Sequence, residues 1–366
     1  MKPSYWIAIL AALFTSGAIT VSQVKPKEPK EPKQPVGEYC DKVNVQDNTL
    51  QPFISTDVLV SQALSRGFTA ERVFYADPAA NAKGELQTRY YNLIHPKLTG
   101  GKARGVFYYF HGGGGDVGSA DYQDVLKTCM NLAQLGFWVV DVEYRRGWTG
   151  TEPYDQWCSP DRDPHNETKE AYLREREAAH LSFEDAEIAV LDAYERINSP
   201  GIESHATGTS FGGTLAAHIA YGSDRIWKQI NLQGCLNQYG GLSMADPLYA
   251  TVPYFGVGGV ADDFVPFWNG PTFVNENGEW IYGCGGLGLA LGAMGVDYEI
   301  HGTCNKGHGL GAVTEQGAIL SYLDFVEYLP RENRIEFYNK TNTAPYIEYV
   351  DSCNYSWKEL RARLDG

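Results

Sequence analysis

The chain has 366 residues, 43% of them hydrophobic, 20% charged and 13% aromatic, which is enough apolar material for a sizeable core and excludes a disordered or collagen-like chain. Its formal charge is −15; the first 37 residues hold five Lys against two Glu, a surplus of +3, which leaves −18 on the rest. A body so acidic repels nucleic acid and anionic membrane surfaces, so neither is an expected partner.

Residues 1–22 read as an export signal or a short N-terminal membrane anchor. Lys2 precedes a largely apolar stretch from residue 5 to 21, and Ser16 and Ala18 are the small residues that cleavage after Ala18 requires. No other run is long and apolar enough to span a bilayer, so membrane contact is expected through this segment alone. Residues 23–37, rich in Lys, Pro and Glu, lack backbone donors and apolar side chains and are expected to form a stiff spacer. Residues 38–366 then form one folded body, exported to the periplasm or the medium. Seven Cys in such a protein point to disulfides. Cys40 with Cys353 would tie the ends of the body, and Cys284 with Cys304 would brace the segment before His308.

Along the body, residues 106–110 and 137–142 are strand-like apolar runs separated by helical spacing over 122–135, the punctuation of a βαβ unit. Ser182 and Asp185 form a capping box expected to open a helix reaching about Arg196. A strand ending at Gly208 leads to a helix over 214–221 closed by Gly222, and residues 229–232, 254–260 and 298–302 offer further strands. A mostly parallel sheet flanked by helices accounts for this order, an α/β fold class. The strand at 202–207 carries Glu203, Ser204, His205 and Thr207, too polar for a fully buried strand, so its pairing is expected to be partly exposed.

The sharpest junction is Gly208-Thr209-Ser210-Phe211-Gly212, where a strand must reverse into a helix within a few residues. That geometry raises the Ser210 hydroxyl on a strained turn at a helix N-terminus, with the Phe211 amide facing any negative charge that develops there. A hundred residues earlier a strand ends in His111-Gly112-Gly113-Gly114-Gly115, whose bare amides suit a cup for an oxyanion. The Lys-Ser/Thr pair of a phosphate-binding loop is missing. A serine nucleophile needs a base and a carboxylate to orient it. Asp262, with Asp263 as the alternative, follows the apolar strand at 254–260, and His308 lies between Gly307 and Gly309 on the loop after the last strand. The other histidines are expected to pack rather than react: His111 bracing the cup, His205 and His301 within strands, His218 within a helix. No compact ligand set implies a metal.

These residues together resemble the α/β-hydrolase superfamily over roughly residues 68–330. The His111-Gly112-Gly113-Gly114 stretch, with the later Val142-Glu143-Tyr144-Arg145, is similar to carboxylesterases of the hormone-sensitive-lipase type and to feruloyl-esterase-like relatives. The resemblance implies Ser210 as nucleophile, His308 as general base and acid, and Asp262 as orienter. It also implies Gly113, Gly114 and Phe211 as oxyanion donors, an ester of a small molecule or a polymer as substrate, and no cofactor. The elbow reads Thr209-Ser210-Phe211 where the first type usually has Asp-Ser-Ala, a departure from that subfamily's pattern. The alternatives are a polyester or feruloyl-type esterase, a lipase, or a non-catalytic binding protein on the same fold. Residues 146–180 interrupt the sheet pattern and are expected to form a lid in which Trp148, Tyr154 and Trp157 line a substrate pocket or pack their own loop. Residues 269–283 resemble a hairpin around Asn277-Gly278 and would form another wall.

Overall fold

The computed structural model describes residues 52–350, apart from 53, 83, 99–101, 116–117, 148–168, 198–201, 250–251, 330–332 and 341–346. The leader, the linker, Cys40, Cys353 and the aromatic trio Trp148, Tyr154 and Trp157 therefore lie outside the described residues. Among the described residues no helix is long and apolar enough to cross a membrane.

The chain builds a ten-stranded sheet in the order β1-β2-β4-β3-β5-β6-β8-β11-β12-β13. Its inner strands are β3 (Gly105–Phe110), β4 (Phe137–Val142), β5 (Glu203–Thr209), β6 (Gly234–Gln238), β8 (Tyr254–Gly259) and β11 (Tyr298–Thr303), all parallel. β1 (Ala70–Ala80) and β2 (Leu86–Ile94) form an antiparallel pair at one end, and β12 (Arg334–Lys340) with β13 (Ile347–Val350) forms another at the opposite end. β3 and β8 are buried at every position because helices cover both faces, which is why their sequences run apolar without alternation.

Two apolar layers follow from that double coverage. One packs Tyr108, Val140 and Leu215 against Ala186 and Val190 of a long helix α3 (Lys169–Ile197). The other packs Phe107, Phe137 and Phe255 against α2 (Gln123–Gln134) and α7 (Glu315–Glu327). The remaining helices are α1 (Thr56–Ser65), α4 (Phe211–Ala217), α5 (Asp224–Gln229) and α6 (Cys284–Ala293). A small second sheet, β7-β10-β9, joins β7 (Gly241–Ser243) to the hairpin strands β9 (Asn269–Pro271) and β10 (Trp280–Gly283). The expected hairpin is therefore present.

Several local expectations fail for identifiable reasons. Ser182 and Asp185 open no helix, since they lie inside α3; Ser182 Oγ donates to the Arg145 carbonyl at 2.8 Å and Asp185 accepts from the Arg145 guanidinium. A tertiary partner took the polar pair that resembled a cap. The strand expected at 229–232 starts instead at Gly234, because Ser223 caps α5 by accepting from the Ile226 amide at 3.2 Å and the helix runs to Gln229. Polar β5 is central, paired on both sides and almost wholly buried. His205 Nδ1 meets the Tyr322 hydroxyl at 2.7 Å, and Thr207 Oγ1 accepts from Gln238 Nε2 at 3.3 Å. Those two side chains thus have partners within the core, and the exposure inferred from polarity was wrong. The Cys284–Cys304 bridge does not form: Cys284 is a free, buried thiol, and its Sγ lies where a Cβ on Gly258 would meet it at 2.8 Å.

Candidate active site

The turn from β5 into α4 carries Ser210 with φ 54 and ψ −123, a left-handed φ that costs a non-glycine residue about 1–2 kcal/mol. Crowding explains the flanking glycines. A Cβ on Gly212 would meet the Phe110 carbonyl oxygen at 2.0 Å, and one on Gly208 would meet the same oxygen at 2.5 Å. The end of β3 is thereby pressed against the elbow, and the His111–Gly115 loop comes to lie beside Ser210; a Cβ on Gly112 would touch Ser210 Cβ at 3.4 Å.

Ser210 Oγ lies 2.7 Å from His308 Nε2, and His308 Nδ1 lies 2.7 Å from Asp262 Oδ2. A carboxylate only accepts, so the proton sits on Nδ1 and Nε2 is left to accept from the Ser210 hydroxyl. The other Asp262 oxygen accepts from the Phe264 amide at 2.9 Å and the Val265 amide at 3.0 Å. Asp262 is thus buried and fully engaged, whereas Asp263 is exposed. The structure brings Ser210, His308 and Asp262 into one hydrogen-bonded line and leaves Asp263 out of it.

Gly113 and Gly114 adopt φ of 126 and 63, conformations open to glycine, and among the described residues no backbone acceptor takes the Gly113, Gly114 or Phe211 amide hydrogen. All three stand at the N-terminal end of α4 or on the loop that abuts it. The His111–Gly115 loop is held from behind by side chains that the sequence pattern did not single out for this role. The Tyr144 hydroxyl donates to the His111 carbonyl at 2.8 Å, and its ring stacks on His111 at 4.3 Å. Glu143 accepts from Ser119 Oγ at 2.9 Å and the Ala120 amide at 2.8 Å, and pairs with Arg146 at 2.8 Å. Arg146 in turn donates to the Gly118 carbonyl. Burial pushes the His111 imidazole down to about 4, so it is neutral at ordinary pH and acts as packing against Tyr144. A second buried set, Arg72, Tyr90 and Asn92 around Asp121, anchors the far end of the same loop. Burial also pushes the Asp141 carboxyl beside Asn92 well above the carboxylate range.

On the other side of His308 the neighbours are aromatic. Tyr239, with φ 46, meets the imidazole edge-on at 5.0 Å, and Phe264 lies tilted over it at 5.6 Å. Phe264 is backed by Phe273 of the hairpin at 5.4 Å. Phe273 and Val274 both have left-handed φ, 56 and 52, a strained pair for bulky residues. Among the described residues no three His, Cys, Asp or Glu side chains converge as a metal site.

No protein-family model and no curated protein matches the chain. Among solved structures it is similar to Thermogutta terrifontis esterase 2 phosphorylated by paraoxon, with 18% identity and a TM-score of 0.46 over 72% of this chain and 96% of that one. It is also similar to a bacterial heroin esterase, with 18% identity and a TM-score of 0.43 over 74% of this chain and 89% of that one. The chain's own topology decides the fold: an inner parallel sheet entered through one antiparallel strand, an elbow after β5, a carboxylate after β8 and a histidine after β11 make it an α/β-hydrolase fold.

Proposed function

We propose that the protein is a serine carboxylesterase that hydrolyses carboxylic esters through an acyl-enzyme on Ser210. The observation that carries this reading is the unbroken Ser210–His308–Asp262 line, both links 2.7 Å, at a strained strand-to-helix turn beside the glycine loop His111–Gly115. Ser210 Oγ attacks the ester carbonyl carbon as His308 Nε2 takes its proton. The carbonyl oxygen becomes an oxyanion held by the amides of Gly113, Gly114 and Phe211. Collapse breaks the bond to the alcohol oxygen, which takes the proton from Nε2 and leaves. Water then gives a proton to Nε2, attacks the acyl carbon and releases the acid with Ser210 restored. Asp262 holds the imidazole in the tautomer this cycle needs and stabilises it when charged, and the cycle calls for no cofactor. The leader-like pattern of residues 1–22 supports placing this activity outside the cytoplasm; its substrates on this reading are small-molecule or polymer esters.

The test is hydrolysis of p-nitrophenyl acetate, butyrate and a long-chain ester by the wild type beside a Ser210→Ala variant of equal thermal stability. The expected result is a loss of at least about 10⁴-fold in kcat in the variant, with short chains preferred. Equal rates on all three esters would overturn the assignment.

A further inference from the structure

The tetrahedral intermediate has a fixed layout. Its oxyanion points to the Gly113–Gly114 cup, and its alcohol oxygen must come within hydrogen-bond reach of His308 Nε2 to be protonated as it leaves. Whatever packs on the open side of the His308 ring therefore flanks the alcohol part of the ester, not the acyl part. Among the described residues two rings meet His308. Tyr239 is half-buried and presents its edge, whereas Phe264 is 39% exposed and tilted at 39° over the imidazole. Phe264 thus offers an open apolar face at the mouth of the site.

Its position is fixed from three directions. The Phe264 amide donates to Asp262 Oδ1 at 2.9 Å, its carbonyl accepts from the Phe273 amide at 2.9 Å, and its ring meets the Phe273 ring at 5.4 Å. Phe273 makes that contact from the left-handed turn it forms with Val274, which is itself 65% exposed. The Phe273 ring is itself buried and also meets Tyr172 at 6.2 Å, so the strained turn seats the ring that backs Phe264. Resting on the esterase reading above, we infer that Phe264 determines specificity for the alcohol group, and that the preferred esters carry an aromatic ring on the carbon next to the ester oxygen. Such a ring stacks on Phe264 while the ester oxygen faces His308.

Benzyl acetate and ethyl acetate share an acyl group and release unactivated primary alcohols, and ethyl butyrate changes the acyl side alone. The wild type should prefer benzyl over ethyl acetate in kcat/KM by about tenfold, the size of one aromatic pair contact. Phe264→Ala, and Phe264→Leu as the variant that keeps apolar volume, should abolish that preference while the ratio of ethyl butyrate to ethyl acetate stays within twofold. A benzyl preference that survives in both Phe264 variants overturns the inference, as does a parallel shift of the alcohol and acyl ratios. A wild type inert on all three esters overturns the esterase reading itself, a result distinct from either.

Discussion

The two sides of the Ser210–His308 pair are supported by opposite kinds of chemistry. Behind the cup, Glu143, Arg146, Arg72, Asp121 and Asn92 form a buried polar network that ties the loop at Gly118, Ser119 and Ala120. Beyond His308 the support is aromatic and strained, from Tyr239, Phe264 and the Phe273–Val274 turn. An oxyanion cup must hold several amides in one orientation, and directional hydrogen bonds in a dry interior do that at the cost of strict complementarity. A wall that meets an apolar part of the substrate needs area and shape, which rings supply without direction. On the proposed esterase reading, damage behind the glycine loop should lower stability and rate together, whereas damage to the aromatic side should change substrate choice.

The largest effects should come from the line between the two sides. Asp262→Asn is expected to lower kcat by about 10⁴-fold, since the amide favours the wrong imidazole tautomer, whereas exposed Asp263→Asn should change it less than twofold; steady-state kinetics of the pair separates the two carboxylates. Next, Glu143→Ala leaves Arg146 without its ion pair and the Ser119 and Ala120 donors without an acceptor. Breaking such a pair costs about 3 kcal/mol, and a displaced cup should lower kcat by about tenfold or more, with thermal melting and kinetics as the joint readout. A third test separates His111 from the carboxylates. Its folded-state value near 4 lies below the unfolded 6.5, so the unfolded chain binds more protons between those values. The stability this group contributes is present above pH 6.5 and lost as the pH falls towards 4, by about 3 kcal/mol in all. Asp141 and Glu315, raised by burial, act in the opposite sense. The His111 share therefore appears in the difference between wild type and His111→Gln, whose stability gap should narrow as the medium is acidified. Smallest is Val274→Gly, which removes left-handed strain from an exposed position and should raise stability by about 1 kcal/mol, seen as a higher Tm. Unchanged or lowered stability would show that the turn stores no strain.

How much of this was legible in the chain follows the range of the forces involved. The strands at 106–110 and 137–142, the elbow at Ser210, the His308 loop and the hairpin at 269–283 rest on local apolar runs, glycines and turns, and the structure has each of them in place. The choice of Asp262 over Asp263 depends on which way one side chain turns, and only the Phe264 and Val265 amides, which draw in one carboxylate, decide it. Ser182 and Asp185 looked like a cap because the pattern is local, while Arg145, 37 positions away from Ser182, claimed them in space. The polar β5 was misread for the same reason, its partners Tyr322 and Gln238 being remote in sequence. The support behind the glycine loop is half visible, since Glu143-Tyr144-Arg145 belongs to the stretch that carries the resemblance, but its hold on residues 118–120 is a long-range contact that no spacing encodes. Phe264 left no signal except its place two residues after Asp262.

The most direct test of the central claim is chemical trapping of the nucleophile. The full chain is treated with an aryl dialkyl phosphate, which phosphorylates an activated serine and releases the phenol, and the adduct is located by peptide mass spectrometry. The expected result is a single phosphoryl group on the peptide containing Ser210, formed as esterase activity disappears, and no adduct in Ser210→Ala. Loss of activity with the label on another residue, or equal labelling of the wild type and the Ser210→Ala variant, would contradict the assignment of Ser210 as the residue that carries the acyl group.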